Sequence, residues 1–358
     1  VAFSTSQEDQ VSYDTKGKGL LNAMSFTDAS ALAGLALGRG LNSENSVLAK
    51  ADRDGVGNLY VYVSFMSPTT SSAKHYLLIS KTGAFEVCNV IGGVDHEGQD
   101  LDATFADYDN DGYQDLFIAT TKGIIVYRNV GDGNFSKITK KIGLEKIVNA
   151  NKMLFADFDQ DGDLDMFVGV KGGNKFFRNN GDGTFTEQAN TMGLRENSQG
   201  TIAMDFGDWD ADGDIDITGL NENGGVQLFN NNRHSNFRNI SDSAGLRNAA
   251  YSGSAIAFGD YNNDGMLDIF VAGGPNGNCS LLKNNGHSFT PDLVSKKISN
   301  ALKGIKINDV ALVDFDNDGH QDLLVAGVNA DKSKSGVKLF HNDTTKGVSD
   351  VSYLLPKN

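Results

Sequence analysis

Cysteine, proline and tryptophan are scarce in this chain: two, four and one among 358 residues. Four prolines leave no Pro-rich linker, and no charge block or low-complexity stretch divides the chain, so a single domain over residues 1–358 is expected. The two cysteines, Cys88 and Cys279, fall in units four repeat steps apart. A disulfide between them is not expected, and both read as packed thiols. Nothing approaches the ~18 apolar residues of a membrane-spanning helix, so no membrane insertion is expected. No signal peptide is visible, and with the chain beginning at Val1 that absence carries little weight. Basic residues are also in deficit. The 31 Lys and Arg stand against 46 Asp and Glu, giving a formal charge of −15 with no basic stripe, which argues against a nucleic-acid partner.

What is present in excess is glycine, at 42 residues, and aspartate in one recurring pattern. Asp107-Tyr108-Asp109-Asn110-Asp111-Gly112-Tyr113-Gln114-Asp115 returns four more times, beginning at Asp157, Asp208, Asp260 and Asp314. Side-chain oxygens at position 1 (Asp107, Asp157, Asp208, Asp260, Asp314), position 3 (Asp109, Asp159, Asp210, Asn262, Asp316) and position 5 (Asp111, Asp161, Asp212, Asp264, Asp318) fall into one tight loop. Glycine at position 6 permits the sharp bend. The position-7 carbonyl (Tyr113, Asp163, Asp214, Met266, His320) can then turn inward, and position 9 (Asp115, Asp165, Asp216, Asp268, Asp322) adds a carboxylate. Such a cage suits Ca²⁺. Mg²⁺ prefers a tighter octahedron, and softer metals find no Cys or His at a side-chain ligand position. About five Ca²⁺ sites are expected.

These loops are not EF-hands. Position 12 holds Ile118, Val168, Gly219, Val271 or Val325 where a bidentate Glu would be needed. An apolar run such as Leu116-Phe117-Ile118 follows position 9, so each loop joins two strands. A sixth copy, Lys50-Ala51-Asp52-Arg53-Asp54-Gly55-Val56-Gly57-Asn58, has lysine at position 1 and is expected to be metal-free.

Position 3 marks the repeat: Asp52, Asp109, Asp159, Asp210, Asn262 and Asp316 are spaced by 57, 50, 51, 52 and 54 residues. That interval fits one four-stranded propeller blade. In one unit, strands are expected around Met153-Leu154-Phe155-Ala156, Leu164 to Val168, Lys175 to Arg178 and Thr184 to Glu187, with Asn179-Asn180-Gly181-Asp182-Gly183 as a hairpin turn. The fold expected is all-β: a β-propeller with repeats at about 46–101, 102–149, 150–200, 201–252, 253–306 and 307–358. The closing phrase Phe185-Thr186-Glu187 to Gly193-Leu194 also occurs near the N-terminus as Phe26-Thr27-Asp28-Ala29 with Gly34-Leu35. This suggests that an N-terminal strand closes the ring, with residues 1–45 forming a divergent seventh blade in preference to a six-bladed ring. Filling the loops with five Ca²⁺ would reduce the charge to about −5, and metal binding should couple to folding. Sites so rich in carboxylate fill reliably where calcium is plentiful, so an extracellular, cell-surface or periplasmic location is expected.

With these motifs in place, the chain resembles the FG-GAP/VCBS repeat propellers, known from the integrin α-subunit head and from bacterial surface proteins. Phe155-Ala156-Asp157-Phe158-Asp159-Gln160-Asp161-Gly162-Asp163-Leu164-Asp165 and Phe258-Gly259-Asp260-Tyr261-Asn262-Asn263-Asp264-Gly265-Met266-Leu267-Asp268 carry the likeness, which spans about residues 26–341. It implies calcium-bound hairpin loops on one propeller face and a role in adhesion or ligand recognition. The family's Phe-Gly-x-x-x-Gly-Ala-Pro-like phrase is absent, which places the chain closer to the bacterial branch than to an integrin.

The position-2 aromatics (Tyr108, Phe158, Trp209, Tyr261, Phe315) read as packing between blades in preference to sugar-stacking platforms. The six histidines (His75, His96, His234, His287, His320, His341) show no metal or catalytic spacing, and the side chain of His320 reads as incidental. No Gly-x-Ser-x-Gly elbow, phosphate-binding loop or His-Glu-x-x-His motif occurs, and the clustered aspartates are already claimed by loops. The functional expectation is therefore a non-catalytic, monomeric propeller that recognises a protein or glycan. A polysaccharide lyase on the same ring and a structural spacer of a larger surface protein are the alternatives.

Overall fold

Asp115–Thr120 and Asp165–Val170 are buried at every residue, with no alternation between wet and dry sides. A strand of this kind must be covered on both faces. The chain achieves this by stacking small sheets face to face. The computed structural model describes residues 96–355 except 132, 145–146, 195–199, 223, 234–235, 248–250, 252, 274–277, 330–335 and 344–346, and before them 3–4, 27–28, 47–51, 59–66, 73–81 and 84–87.

A two-stranded ribbon, β1 (Phe3–Ser4) with β2 (Thr27–Asp28), comes first. Blade 1 follows as β3 (Val47–Lys50), β4 (Tyr60–Met66), β5 (Ala73–Lys81) and β6 (Ala84–Val87). Blade 2 is β7 (Asp100–Ala106), β8 (Asp115–Thr120), β9 (Gly123–Asn129) and β10 (Phe135–Lys137), and blade 3 is β11 (Ala150–Ala156), β12 (Asp165–Val170), β13 (Lys175–Asn179) and β14 (Phe185–Glu187). Blade 4 comprises β15 (Thr201–Gly207), β16 (Asp216–Asn221), β17 (Val226–Asn231) and β18 (Phe237–Asn239). Blade 5 comprises β19 (Ala255–Gly259), β20 (Asp268–Ala272), β21 (Ser280–Asn284) and β22 (Phe289–Pro291). Blade 6 closes with β23 (Ile305–Val313), β24 (Asp322–Asn329), β25 (Lys338–Asp343) and β26 (Gly347–Asp350). Each of these six sheets is an antiparallel meander in chain order, as a tight turn between consecutive strands requires.

The first strands of the blades pack on one another in the order β3, β7, β11, β15, β19, β23. Asp309 of β23 is close enough to act electrostatically on both Lys152 of β11 and Asp205 of β15, so the sixth blade faces the third and fourth across an axis. Polar bolts join neighbours there: the Met153 N–H donates to Asp102 (2.9 Å) and the Phe258 N–H to Asp205 (2.9 Å). The hydrophobic core is divided accordingly. Five clusters each draw on two adjacent blades, so alternate residues of one strand serve opposite interfaces. In β8, Phe117 joins the cluster with blade 3, while Leu116 and Ile118 join the cluster with blade 1. Cys279 is a buried free thiol whose pKa burial pushes up to about 11, which makes it a packed, unreactive side chain. Cys88 lies outside the described residues.

Two expectations are corrected. The propeller has six blades, not seven, and the N-terminal phrase does not close the ring. Thr27 and Asp28 pair with Ser4 and Phe3 only. The outer edge of β25 is already taken by β26, so blade 6 needs no borrowed strand. The degenerate loop at 52–58 and the polar insertions at 67–72 and 330–335 lie outside the described residues.

An asparagine ends the third strand of blades 2 to 5 (Asn129, Asn179, Asn231 and Asn284), and in blade 6 Asn342 stands one residue before the strand's end at Asp343. In blade 4 the Asn231 side-chain amide donates to the Ile215 carbonyl of its own blade (3.3 Å) and to the Phe158 carbonyl of blade 3 (2.9 Å). Asn179, Asn284 and Asn342 do the same toward Tyr108, Trp209 and Tyr261 of the preceding blade. Asn231→Ala leaves two buried carbonyls without a donor and should destabilise the fold by about 1–3 kcal/mol, read from urea unfolding midpoints. An unchanged midpoint would remove the asparagine as an inter-blade fastener.

Candidate metal centres

Each loop begins as position 1 leaves the first strand and ends as position 9 opens the second, so the sheet register sets both anchors. Within it the same turns recur five times. The position-1 carboxylate accepts the N–H groups of positions 5 and 6, as in Asp111 to Asp107 (3.1 Å) and Gly112 to Asp107 (2.9 Å), and likewise at Asp157, Asp208, Asp260 and Asp314. Position 5 accepts the position-7 N–H in every loop, as at Tyr113 (2.9 Å) and His320 (2.9 Å). Position 4 is left-handed throughout, from φ 55° at Asn110 to 61° at Gln160, and the position-6 glycine lies between 85° and 93°. Left-handed residues at positions 4 and 6 curl the chain back toward position 1.

The predicted residues do come together. In the loops starting at Asp107 and Asp208, the ligand atoms of positions 1, 3 and 9 lie within 4.8 Å of one another, and positions 1, 3 and 5 do so at Asp157. At the last loop Asp316 and Asp322 meet His341 instead. Position 9 is the deepest member. Asp115, Asp165, Asp216, Asp268 and Asp322 are fully buried, and one oxygen accepts the N–H of the strand-ending asparagine at 2.7–2.9 Å. The second oxygen of Asp115, Asp165 and Asp268 has no hydrogen-bond donor. Burial pushes the position-9 carboxyls up, to about 8 at Asp115 and Asp216, about 7 at Asp165 and Asp268 and about 6 at Asp322. A dry carboxylate with an unmatched oxygen, beside further carboxylates, fits a hard divalent cation with oxygen ligands.

Two features were not visible in the spacing. First, in blades 2, 3, 5 and 6 the residue before that asparagine lays a basic side chain on the loop. Arg128 meets Asp109 (2.6 Å) and Asp111 (2.9 Å), Arg178 meets Asp159 (2.7 Å) and Asp161 (2.8 Å), Lys283 meets Asp264 (3.1 Å), and His341 lies 3.2 Å from Asp322. Blade 4 has neutral Asn230 there, bonded to the Trp209 indole. Second, position 4 reaches the next loop. Asn110 donates to Asp163 (2.7 Å), Gln160 donates to Asp214 (2.8 Å) and to the Gly213 carbonyl (3.1 Å), and Asn263 pairs with His320 (2.7 Å). The His320 side chain, expected to be incidental, therefore takes part in this chain of contacts. Ala211 is too short to continue it, so the contact breaks between the loops of blades 4 and 5. As the sequence led one to expect, position-2 aromatics pack between blades: Tyr108 stacks on Phe185 (5.9 Å), Phe158 meets Phe237 (5.8 Å) and Trp209 meets Phe289 (5.8 Å). Phe315, in the last blade, is only half-buried.

A carboxyl whose folded pKa exceeds its unfolded value adds stability that is present at low pH and lost as pH rises through the folded pKa. With chelator present, the melting temperature should therefore fall as pH is raised from about 6 to about 8, the span of the position-9 values. A melting temperature flat across that window would show that these carboxyls titrate normally.

Comparison with known proteins agrees with this geometry. The family model for the FG-GAP-like repeat matches residues 107–168, 157–219, 208–271 and 260–325. Cartilage acidic protein 1 of Mus musculus is 33% identical over 128 residues, 35% of this chain and 19% of that protein; the Xenopus tropicalis protein is 32% identical over the same shares. The match thus takes in about a fifth of the length of these curated relatives. A lectin from Agrocybe aegerita, described as recognising non-reducing terminal N-acetylglucosamine, superposes with a TM-score of 0.54 at 20% identity, covering 89% of this chain and 82% of the lectin. No helix among the described residues is long and apolar enough to cross a membrane. Four consecutive matches that begin and end on the aspartate loops, over a sheet order that repeats with them, place this chain in the FG-GAP-like repeat family.

Proposed function

We propose that the chain is a calcium-stabilised, extracellular recognition propeller without catalytic activity, binding a protein or glycan partner. The observation that carries the reading is the unmatched buried oxygen of Asp115, Asp165 and Asp268, each close enough to further carboxylates of its loop to feel their charge. Ca²⁺ would supply the positive charge that lets these groups stay ionised while buried. The protein's part is positioning. Asn129, Asn179, Asn231, Asn284 and Asn342 hold the position-9 carboxylates, and the position-4 side chains of blades 2, 3 and 5 tie the next loop alongside. The product is a stiff, acidic loop face on a rigid ring, the kind of surface on which a binding site is preorganised. The acidity disfavours nucleic acid, and the lectin that shares the fold makes glycans the first ligand class to test.

Calcium at a hundredfold over its Kd stabilises a folded protein by about 2.7 kcal/mol for each site. Excess EDTA should therefore lower the melting temperature substantially, and Asp165→Asn with Asp216→Asn should remove part of that calcium dependence. A melting curve indifferent to EDTA would refute calcium stabilisation. A glycan array run with and without chelator, beside a polysaccharide-degradation assay, tests the rest: binding without turnover is expected, and turnover would make the protein an enzyme.

A further inference from the structure

At the end of blade 2 away from its aspartate loop, a second polar cluster is assembled from parts that no sequence spacing connects. Asp100 opens β7, whereas the loop follows the end of that strand, roughly 20 Å along an extended chain. His96, just before β7, places its Nε2 atom 2.7 Å from Asp100 Oδ1. His75 comes from β5 of blade 1, with Nδ1 3.4 Å from Asp100 Oδ2. Tyr62, in the adjacent strand β4, donates its hydroxyl to the same oxygen at 2.6 Å and lies 3.0 Å from His75 Nδ1. All three candidate ligand side chains are dry: His75 is 2% exposed, His96 1% and Asp100 3%. Their ligand atoms lie within 4.8 Å of one another. Burial alone would raise the Asp100 carboxyl, but hydrogen bonds from His75, His96, Ser64 and Tyr62 hold it well below the usual range, so it remains ionised. The Tyr62 phenol is pushed up by burial and by Asp100, so it stays a donor.

We propose that His75, His96 and Asp100 bind one divalent transition-metal ion of the zinc class, with Tyr62 orienting Asp100 from behind. Two imidazole nitrogens and one carboxylate are the donor set of borderline cations, not of calcium. A hydroxyl donated to the ligating carboxylate is the partner such sites require. The cluster also sits where a staple is needed. It joins β4 and β5 of blade 1 to β7 of blade 2, and blade 1 is the blade whose aspartate loop begins with Lys50. A transition-metal clamp at the opposite end would replace the calcium anchor that this blade has lost.

The test uses the full chain, stripped with chelator, saturated with Ca²⁺ to occupy the acidic loops, then titrated with Zn²⁺ by calorimetry. One zinc per chain at micromolar or tighter affinity is expected, with no competition from millimolar calcium. His75→Ala with His96→Ala should abolish that binding, and Tyr62→Phe should weaken it roughly 10-fold. If the double variant does not fold, Co²⁺ replaces Zn²⁺ on the wild-type chain, where nitrogen ligation gives a visible absorption band that all-oxygen loops do not. Absence of zinc binding by the calcium-loaded wild type, a cobalt spectrum of oxygen ligands only, or undiminished zinc binding by the folded double variant would overturn the assignment.

Discussion

The structure depends on a buried carboxylate held by an asparagine. In blades 2 to 6 the position-9 aspartate starts the second strand, and the asparagine at or next to the end of the third strand gives it a backbone N–H. In blades 3 to 6 that asparagine also spends its side-chain amide on two carbonyls, one of them in the preceding blade. One pair of side chains therefore fixes the loop, the register of two strands and the angle between blades. Because the site is dry, each of these contacts counts for more than it would at the surface, and none can be lost without stranding a polar group.

The same dryness explains the electrostatics. A carboxylate at full burial is unfavourable unless opposite charge is near, and the loops meet this need in layers. Arg128, Arg178 and Lys283 lie over the loops of blades 2, 3 and 5, the His341 imidazole lies over that of blade 6, and the loop of blade 4 has Asn230 at this position. The negative charge of −15 is concentrated at these bends, where it is structural, and does not describe an evenly acidic surface.

Much of this was legible in the chain. The pattern Asp-x-Asp-x-Asp-Gly, with Asn262 at its third position in one copy, located all five loops, and the expected strands of blade 3 fall within or beside Ala150–Ala156, Asp165–Val170, Lys175–Asn179 and Phe185–Glu187. The aromatics at position 2 were correctly read as core. Asn179 was seen only as part of a turn and Asn231 was not singled out, because a contact to a carbonyl some 70 residues upstream leaves no local periodicity. The N-terminal phrase at Thr27 misled for the opposite reason: its local pattern matches an outer strand, but a strand becomes part of a blade only if an edge is free to receive it.

The sequence by itself determined the repeat, the four-stranded unit and the oxygen-rich chemistry of the bends, since all three are set by residues close together in the chain. The tertiary structure decided the number of blades, the basic side chains laid over the loops, the contacts from Gln160 to Asp214 and Asn263 to His320, and the meeting of His75, His96 and Asp100. The contacts between loops and the His75, His96 and Asp100 cluster arise where one blade faces another, and the basic side chains reach their loops across the strands of one blade; neither proximity is encoded in any short stretch of sequence.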